Sequence, residues 1–385
     1  MPTFVLHEIS CAVPGDAVRA CVDITVENGR IASIEDCIPG RNLPGSYDGR
    51  GKIALPGFYN IHSHIPMTLL RGYGEGLKLE EWLFKKMIPF EALLSDEDCY
   101  WGSMLGIAEM LASGTVSFTD MYLHMPGIVK AVQESGSKAN LSHGFSSRTP
   151  GQQFHDSPAY AGWKVVQEAE AATAGRIVAD ASIHAEYTID TESTVRNIAD
   201  WSRGEALRMH VHLSETRKEH EECKTRRGGM TPIAFFEHCG VFDSPTTAAH
   251  CVWAEDADLD ILAACGVTVA HCPSSNLKLG SGIARIARMV ELGVKVGIGT
   301  TGPQVTIISI CWRKWPSRPS SRKGQSAIRR VSDRRKCFPW LAGTERSRRA
   351  GRIAANWCQG TGLISSYTIC MLPICSQYTI PSSTL

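Results

Sequence analysis

The chain has no apolar run long enough to cross a bilayer, no leader-like segment after Met1-Pro2-Thr3, and no Cys-x-x-Cys pair among its fourteen cysteines. From the first absence no membrane-spanning helix is expected, and from the second no secretory signal. The third removes the commonest thiol metal and redox motifs, so the scattered cysteines are expected to be free thiols in a reducing cytoplasm. No histidine follows His271, and only 2 acidic residues follow residue 300. There is no internal repeat, and no low-complexity stretch before that point.

What is present begins with Pro56-Gly57-Phe58-Tyr59-Asn60-Ile61-His62-Ser63-His64. It reads as a short strand ending in two histidines one residue apart. Side chains alternate along a strand, so His62 and His64 share a face. Two imidazoles held that way make half of a zinc site.

The net charge of +1 hides a division. Residues 1–300 hold 26 Lys+Arg and 37 Asp+Glu, whereas residues 301–385 hold 14 and 2. Periodicity is lost at the same place. A basic nucleic-acid-binding tail is one reading, but nothing beyond charge supports it. A one-base shift of frame at Thr300/Thr301 accounts for more. Codons chosen for Thr300 to Trp315 read, in the shifted frame, as Asp-Gly-Ala-Ala-Ser-Asn-Asn-Asn-Leu-Asp-Met-Leu-Glu-Glu-Met, a loop and an amphipathic helix. Thr361 to Met371 treated likewise reads as a strand.

Residues 1–55 are expected to form part of a small β-sandwich, with a turn at Glu27-Asn28-Gly29-Arg30. Residues 56–300 alternate apolar strands with helical patterns such as Glu97–Leu111 and Asp256–Ala264. Eight strands, at 57–64, 115–122, 138–145, 177–184, 208–215, 246–253, 267–273 and 294–300, predict an α/β fold, a (β/α)8 TIM barrel with its site at the carboxyl ends of the strands. Residues 301–385 are expected to be an aberrant, poorly ordered tail, with the sandwich's carboxyl-terminal strands lost. Histidines recur at those strand ends: His62 and His64, His184, His210 and His212, His250, His271. A structural role remains open for His210 and His271, and for His7, His124, His220 and His238 off the strands.

This pattern resembles the amidohydrolase superfamily, and most closely its branch of 5-methylthioadenosine/S-adenosylhomocysteine deaminases and chlorohydrolase-like enzymes. The resemblance rests on Leu55-Pro56-Gly57-Phe58 with His62 and His64, Leu69-Leu70-Arg71-Gly72, Glu80-Glu81-Trp82-Leu83, Gly114-Thr115 and Asp120-Met121-Tyr122. It continues through His212-Leu213-Ser214-Glu215-Thr216, Ala249-His250-Cys251, Ser275-Asn276-Leu277-Lys278-Leu279-Gly280 and Gly297-Ile298-Gly299-Thr300. It implies one divalent metal on His62, His64 and His212, most of all Zn2+, with Fe2+, Mn2+ and Ni2+ as alternatives. It implies Glu215 as proton shuttle and His250 as the group steadying the attacking water. Trp82, Glu91 and His184 are the implied substrate contacts. Where such deaminases carry an arginine at the end of strand three, His143 stands here, with Arg148 close by.

The family's strand-eight aspartate, in Gly-Thr-Asp-Gly, is replaced by Thr301 in Gly299-Thr300-Thr301-Gly302. Threonine supplies neither charge nor a base, so this chain is expected to be impaired, sparingly soluble and weak in metal retention. The implied activity is hydrolytic release of ammonia from a purine nucleoside such as S-adenosylhomocysteine or 5-methylthioadenosine. The alternatives are a cytosine, guanine or triazine type of amidohydrolase or chlorohydrolase, and a non-catalytic metal-binding remnant. The expected partner is a small amino-heterocycle, without membrane or nucleic acid, in a cytoplasmic protein; the resemblance leaves a homo-oligomer open, since dimers or larger assemblies are usual among such relatives.

Overall fold

The computed structural model describes residues 4–12, 18–41, 43–147, 153–302 and 369–373. The early strands are β1 (Phe4–Cys11), β2 (Arg19–Glu27), β3 (Arg30–Asp36), β4 (Tyr47–Asp48) and β5 (Lys52–Pro56). The barrel strands are β6 (Phe58–Ser63), β7 (Thr115–Tyr122), β8 (Lys138–His143), β9 (Ile177–Ala179), β10 (Ala181–Ile183), β11 (Met209–Leu213), β12 (Thr246–His250), β13 (Thr268–His271) and β14 (Lys295–Ile298). A last strand, β15, is Ile369–Pro373. The chain divides into two compact units. Met1–Tyr59, Gly114–Val116 and β15 belong to one; Asn60–Ser113 and the run starting at Ser117 belong to the other.

In the first unit the strands form one sheet in the order β15-β5-β1-β2-β3, with β4 paired to β1. β2 and β3 close as a hairpin with Glu27 opposite Arg30. Asn28 and Gly29 between them have φ of 51° and 75°, the left-handed pair that a two-residue hairpin demands. Alternate residues Leu6, Val22, Ile24 and Val26 meet in a small apolar cluster with Ile9 and Ala54. The described residues of this unit form a single sheet. Its edge strand β15 runs antiparallel to β5 with Ile369 opposite Pro56. The rest of the tail beyond residue 302 lies outside the described residues, as does Arg148.

Cys21 and Cys37 are bonded to each other, with Cα atoms 5.4 Å apart, which corrects the expectation that every cysteine is a free thiol. Cys11, Cys99, Cys223, Cys239, Cys251, Cys265 and Cys272 are free.

The second unit is the barrel. Its strands are parallel in two runs, β6-β7-β8-β9 and β10-β11-β12-β13-β14. Parallel bridges Phe145↔Ile183 and Ser63↔Thr301 join the runs into a closed cylinder. The expected fourth strand is split into β9 and β10 at Asp180, a buried carboxylate. Asp180 pairs with Arg208 at 2.8 Å and accepts from Asn140 at 3.2 Å. Strand residues Ile183, Val211, Ala248 and Val269 pack against Phe235, Leu259 and Leu262 of the surrounding helices.

The helix Asp96–Ala112 starts one residue earlier and ends one later than its apolar pattern indicates. Ser95 and Asp98 form a reciprocal capping box there, which satisfies backbone N–H groups that otherwise lack partners. Its neighbour, the helix Met125–Ser135, approaches closely at Gly127, where a Cβ would lie 1.9 Å from the Asp96 carbonyl oxygen. Among the described residues no helix is long and apolar enough to cross a membrane.

Candidate functional site

The carboxyl end of the barrel gathers the histidines that the sequence distributes over distant strands. On β6 the residues Asn60 and His62 face inward, and Ile61 faces the neighbouring strand at Gly297, where a Cβ would lie 2.5 Å from its Cδ1. His64 lies just past the strand end on the same side. The ring centroids of His62 and His64 are 4.9 Å apart, those of His62 and His212 4.8 Å, and those of His64 and His212 5.3 Å. One nitrogen from each of the three rings lies within 4.8 Å of the others.

Hydrogen bonding decides the tautomers. His64 Nδ1–H donates to the Met121 carbonyl and His212 Nδ1–H to the His184 carbonyl at 2.6 Å. A carbonyl can only accept, so both Nδ1 atoms carry hydrogen and both Nε2 atoms carry a lone pair. Those two Nε2 atoms face each other at 3.3 Å. Two lone pairs so placed repel unless a cation lies between them. His62 Nδ1 is engaged with His210 Nε2 at 2.9 Å, and its buried Nε2 has no hydrogen-bond partner among the described residues. The three rings therefore fit a divalent metal, oriented by the outer partners that metal-binding histidines commonly have. Burial pushes His62 and His212 well below the usual imidazole range and His64 down to about 4. The donor set is neutral, as metal ligation requires.

Glu215 follows β11. Its Oε1 accepts from Ser281 Oγ at 3.0 Å and lies 3.5 Å from His250 Nδ1. The turn holding it is clamped by Glu219, whose carboxylate accepts from the backbone N–H groups of Ser214 at 2.9 Å and Glu215 at 2.7 Å. Burial pushes the Glu215 carboxyl up to about 7, so it exchanges a proton readily near neutrality. His250 Nδ1–H donates to Asn276 Oδ1 at 2.7 Å, which leaves His250 Nε2 as an acceptor. Ser214, His250 and Cys251 have φ of 46°, 73° and 45°. Left-handed backbone at three non-glycine residues costs about 1 kcal/mol or more each and is characteristic of functional sites.

A cavity of 390 Å³ opens over these groups. Trp82, Glu91 and His184 line it together with His64, His212, Glu215, His250 and Thr301. Trp82 and Glu91 come from one helical run whose middle, Leu83–Met87, widens to a π-turn. Met121 of the Asp120-Met121-Tyr122 motif lines it too, with Gly144, Ser147, Tyr187 and Asp190, four residues that the sequence pattern did not single out. These four sit on loops after β8 and β10, where no periodicity marks them. His210 and Asn276 orient His62 and His250. His210 was legible as a possible inward residue, being two before His212 on one strand.

His143 is not part of the cavity wall. On β8, Ser142 donates inward to the Asp120 carbonyl at 3.2 Å, so His143 points outward, where a Cβ on Gly162 would lie 2.8 Å from its Nδ1. It therefore does not stand in for an arginine at the mouth. His7 pairs with Asp23 at 2.6 Å, His124 with Asp96 at 3.1 Å, His220 with Glu255 at 3.2 Å and His238 with Glu192 at 3.3 Å. These four have structural partners away from the mouth.

Thr301 occupies the strand-eight end. Its N–H donates to the His62 carbonyl at 3.1 Å and its carbonyl accepts from His64 N–H at 2.7 Å. Its φ is 64°, a left-handed conformation that β-branched residues tolerate poorly and Asp or Asn adopt more readily.

Residues 53–316 match the Amidohydrolase family. A protein named 5-methylthioadenosine/S-adenosylhomocysteine deaminase from Dictyoglomus thermophilum is 44% identical over 273 residues, covering 71% of this chain and 63% of the relative. A second of that name from Archaeoglobus fulgidus is 39% identical over 302 residues, 78% of this chain and 71% of the relative. The chain thus spans less than two thirds of the first relative's length. A solved adenosine deaminase from Xanthomonas campestris with bound zinc superposes with a TM-score of 0.71 at 26% identity, over 78% of this chain and 69% of that one. A guanine deaminase from C. acetobutylicum shares the fold at 20% identity and a TM-score of 0.67, over 78% of this chain and 74% of that one.

Proposed function

Because the chain belongs to the amidohydrolase family, we propose that its barrel is that of a metal-dependent aminohydrolase acting on a purine nucleoside such as S-adenosylhomocysteine or 5-methylthioadenosine. The observation that carries this reading is the pair of unprotonated Nε2 atoms of His64 and His212 facing each other at 3.3 Å, with His62 Nε2 buried and without a hydrogen-bond partner among the described residues. His62, His64 and His212 would hold one divalent metal, Zn2+ before Fe2+, Mn2+ or Ni2+. The metal supplies Lewis acidity and makes water a competent nucleophile near neutral pH.

The protein's own groups do the rest. Trp82 and His184 confine the aromatic base, and Glu91 faces it from the same helical run as Trp82. His250 Nε2, an acceptor, holds the attacking water. The water oxygen bonds to the amino-bearing ring carbon as its proton passes to the base that Asp would supply at 301 in the frame-restored chain, while Glu215 delivers a proton to the adjacent ring nitrogen. The amino nitrogen then takes the proton from that base, its bond to carbon breaks and ammonia leaves, and the new hydroxyl returns its proton to Glu215 to give a ring carbonyl. Relatives carrying the deaminase name support this substrate class.

Thr301 supports a second reading, a damaged or non-catalytic chain. It offers no base to receive the proton of the attacking water, and a general base contributes about 10²–10⁴-fold. We attribute the break at Thr300 to a one-base shift of frame, which sequencing the gene across that codon decides. Ammonia release should be measured on a panel of nucleosides and nucleobases with two proteins, this chain and its frame-restored form with Asp at 301. The frame-restored protein is expected to be fastest on thio-substituted adenosines and this chain slower by about 10²-fold or more. Equal rates in the two would refute the reading of Thr301. A preference for cytosine, guanine or a chlorotriazine would replace the substrate class.

A further inference from the structure

Cys272 is left idle by the deaminase reading. It follows β13 and is fully buried at the barrel mouth, where its Sγ–H donates to the Ala270 carbonyl at 3.5 Å, a weak hydrogen bond. Its Sγ, a ring nitrogen of His62 and a ring nitrogen of His250 all lie within 4.8 Å of one another. Both imidazoles are completely buried, and the Nε2 of each lacks a hydrogen-bond partner among the described residues. Their Nδ1 atoms are engaged elsewhere, with His210 and with Asn276. The space beside His62 and the thiol is kept open by Gly299. A Cβ there would lie 2.8 Å from Cys272 Sγ and 2.9 Å from His62 Cβ.

Charge separates this set from the three-histidine set. His62, His64 and His212 are neutral, and Thr301 adds no charge, so a dication on them lacks a compensating anion. A cysteine bound to such a cation gives up its proton outright, and its thiolate is a soft ligand that favours zinc-like ions. We propose that His62, His250 and Cys272 form a second ligand set at the barrel mouth, which takes a thiophilic divalent cation with Cys272 as the anionic ligand. The proposal rests on the reading that this mouth binds metal, and it departs from that reading in naming sulfur as a ligand. His62 belongs to both sets, so the two compete for one ion. Binding moves one proton from sulfur to solvent and one sulfur lone pair to the cation, with no oxidation. Occupancy of this set also takes His250 Nε2 away from water.

The test is cobalt(II) titration of the full chain under argon, following the sulfur-to-cobalt charge-transfer absorption in the near ultraviolet. The band is expected to saturate at about one cobalt per chain. It should vanish in Cys272→Ser, weaken in His250→Ala and persist in the control Cys265→Ser, an exposed cysteine. Circular dichroism checks that each variant is folded, and Cys272→Ala replaces the serine variant if that one is not. Cobalt bound without the band, or a band unchanged in Cys272→Ser, overturns the sulfur ligand and leaves the histidine set standing. Failure of the unaltered chain to bind cobalt overturns both.

Discussion

His62, His64, His212 and His250 each have one nitrogen committed to orientation and one left for chemistry, and that division assigns separable effects to single residues. His212→Ala removes a nitrogen from the ion itself, so zinc retained after dialysis should fall to background by elemental analysis. His210→Ala removes only the partner of His62 Nδ1. Loss of such an outer contact typically weakens metal affinity about 10–100-fold, which competition with a chromogenic chelator would read. Thr301 offers a third distinction, because two defects coincide there. Thr301→Asn relieves the strained φ without adding charge and should raise stability to unfolding by up to about 1 kcal/mol. Thr301→Asp should do the same and also tighten zinc retention. Equal zinc retention in the two variants would show that charge at 301 is irrelevant.

Among the elements, the helix Asp96–Ala112 is the one whose limits depend on a polar signal more than an apolar one. Ser95→Ala opens its capping box and should cost about 1 kcal/mol in urea unfolding. Gly127→Ala places a methyl against the Asp96 carbonyl and should cost about 1–3 kcal/mol, because two packed backbones must separate. Strand parity governs the other side of the barrel. Apolar runs located all eight strands, yet a shift of one residue exchanges the inner and outer faces. His143 illustrates the point. It ends an expected strand in the right place, but Ser142 takes the inward position and His143 turns to the helices. The split of the fourth strand was also invisible, since Asp180 is buried against Arg208, a partner 28 residues away.

For the barrel unit as a whole, closure depends on contacts between its first and last strands. Asn60 Nδ2 donates to Thr300 Oγ1 at 2.9 Å across 240 residues, beside the bridge from Ser63 to Thr301. Asn60→Ala leaves that buried hydroxyl without its donor and should destabilise the barrel by about 1–3 kcal/mol in urea unfolding. By itself the sequence determined the alternation of strands and helices and the histidines at strand ends. Apolar period and residue chemistry are local properties of a chain, and the resemblance they carry implies an acid where Thr301 stands. Only the tertiary structure decided which nitrogen of each ring is free. It likewise decided that His143 faces away and that Cys272 meets His62 and His250. Tautomer, facing and proximity arise from partners tens to hundreds of residues apart, which become neighbours when the cylinder closes.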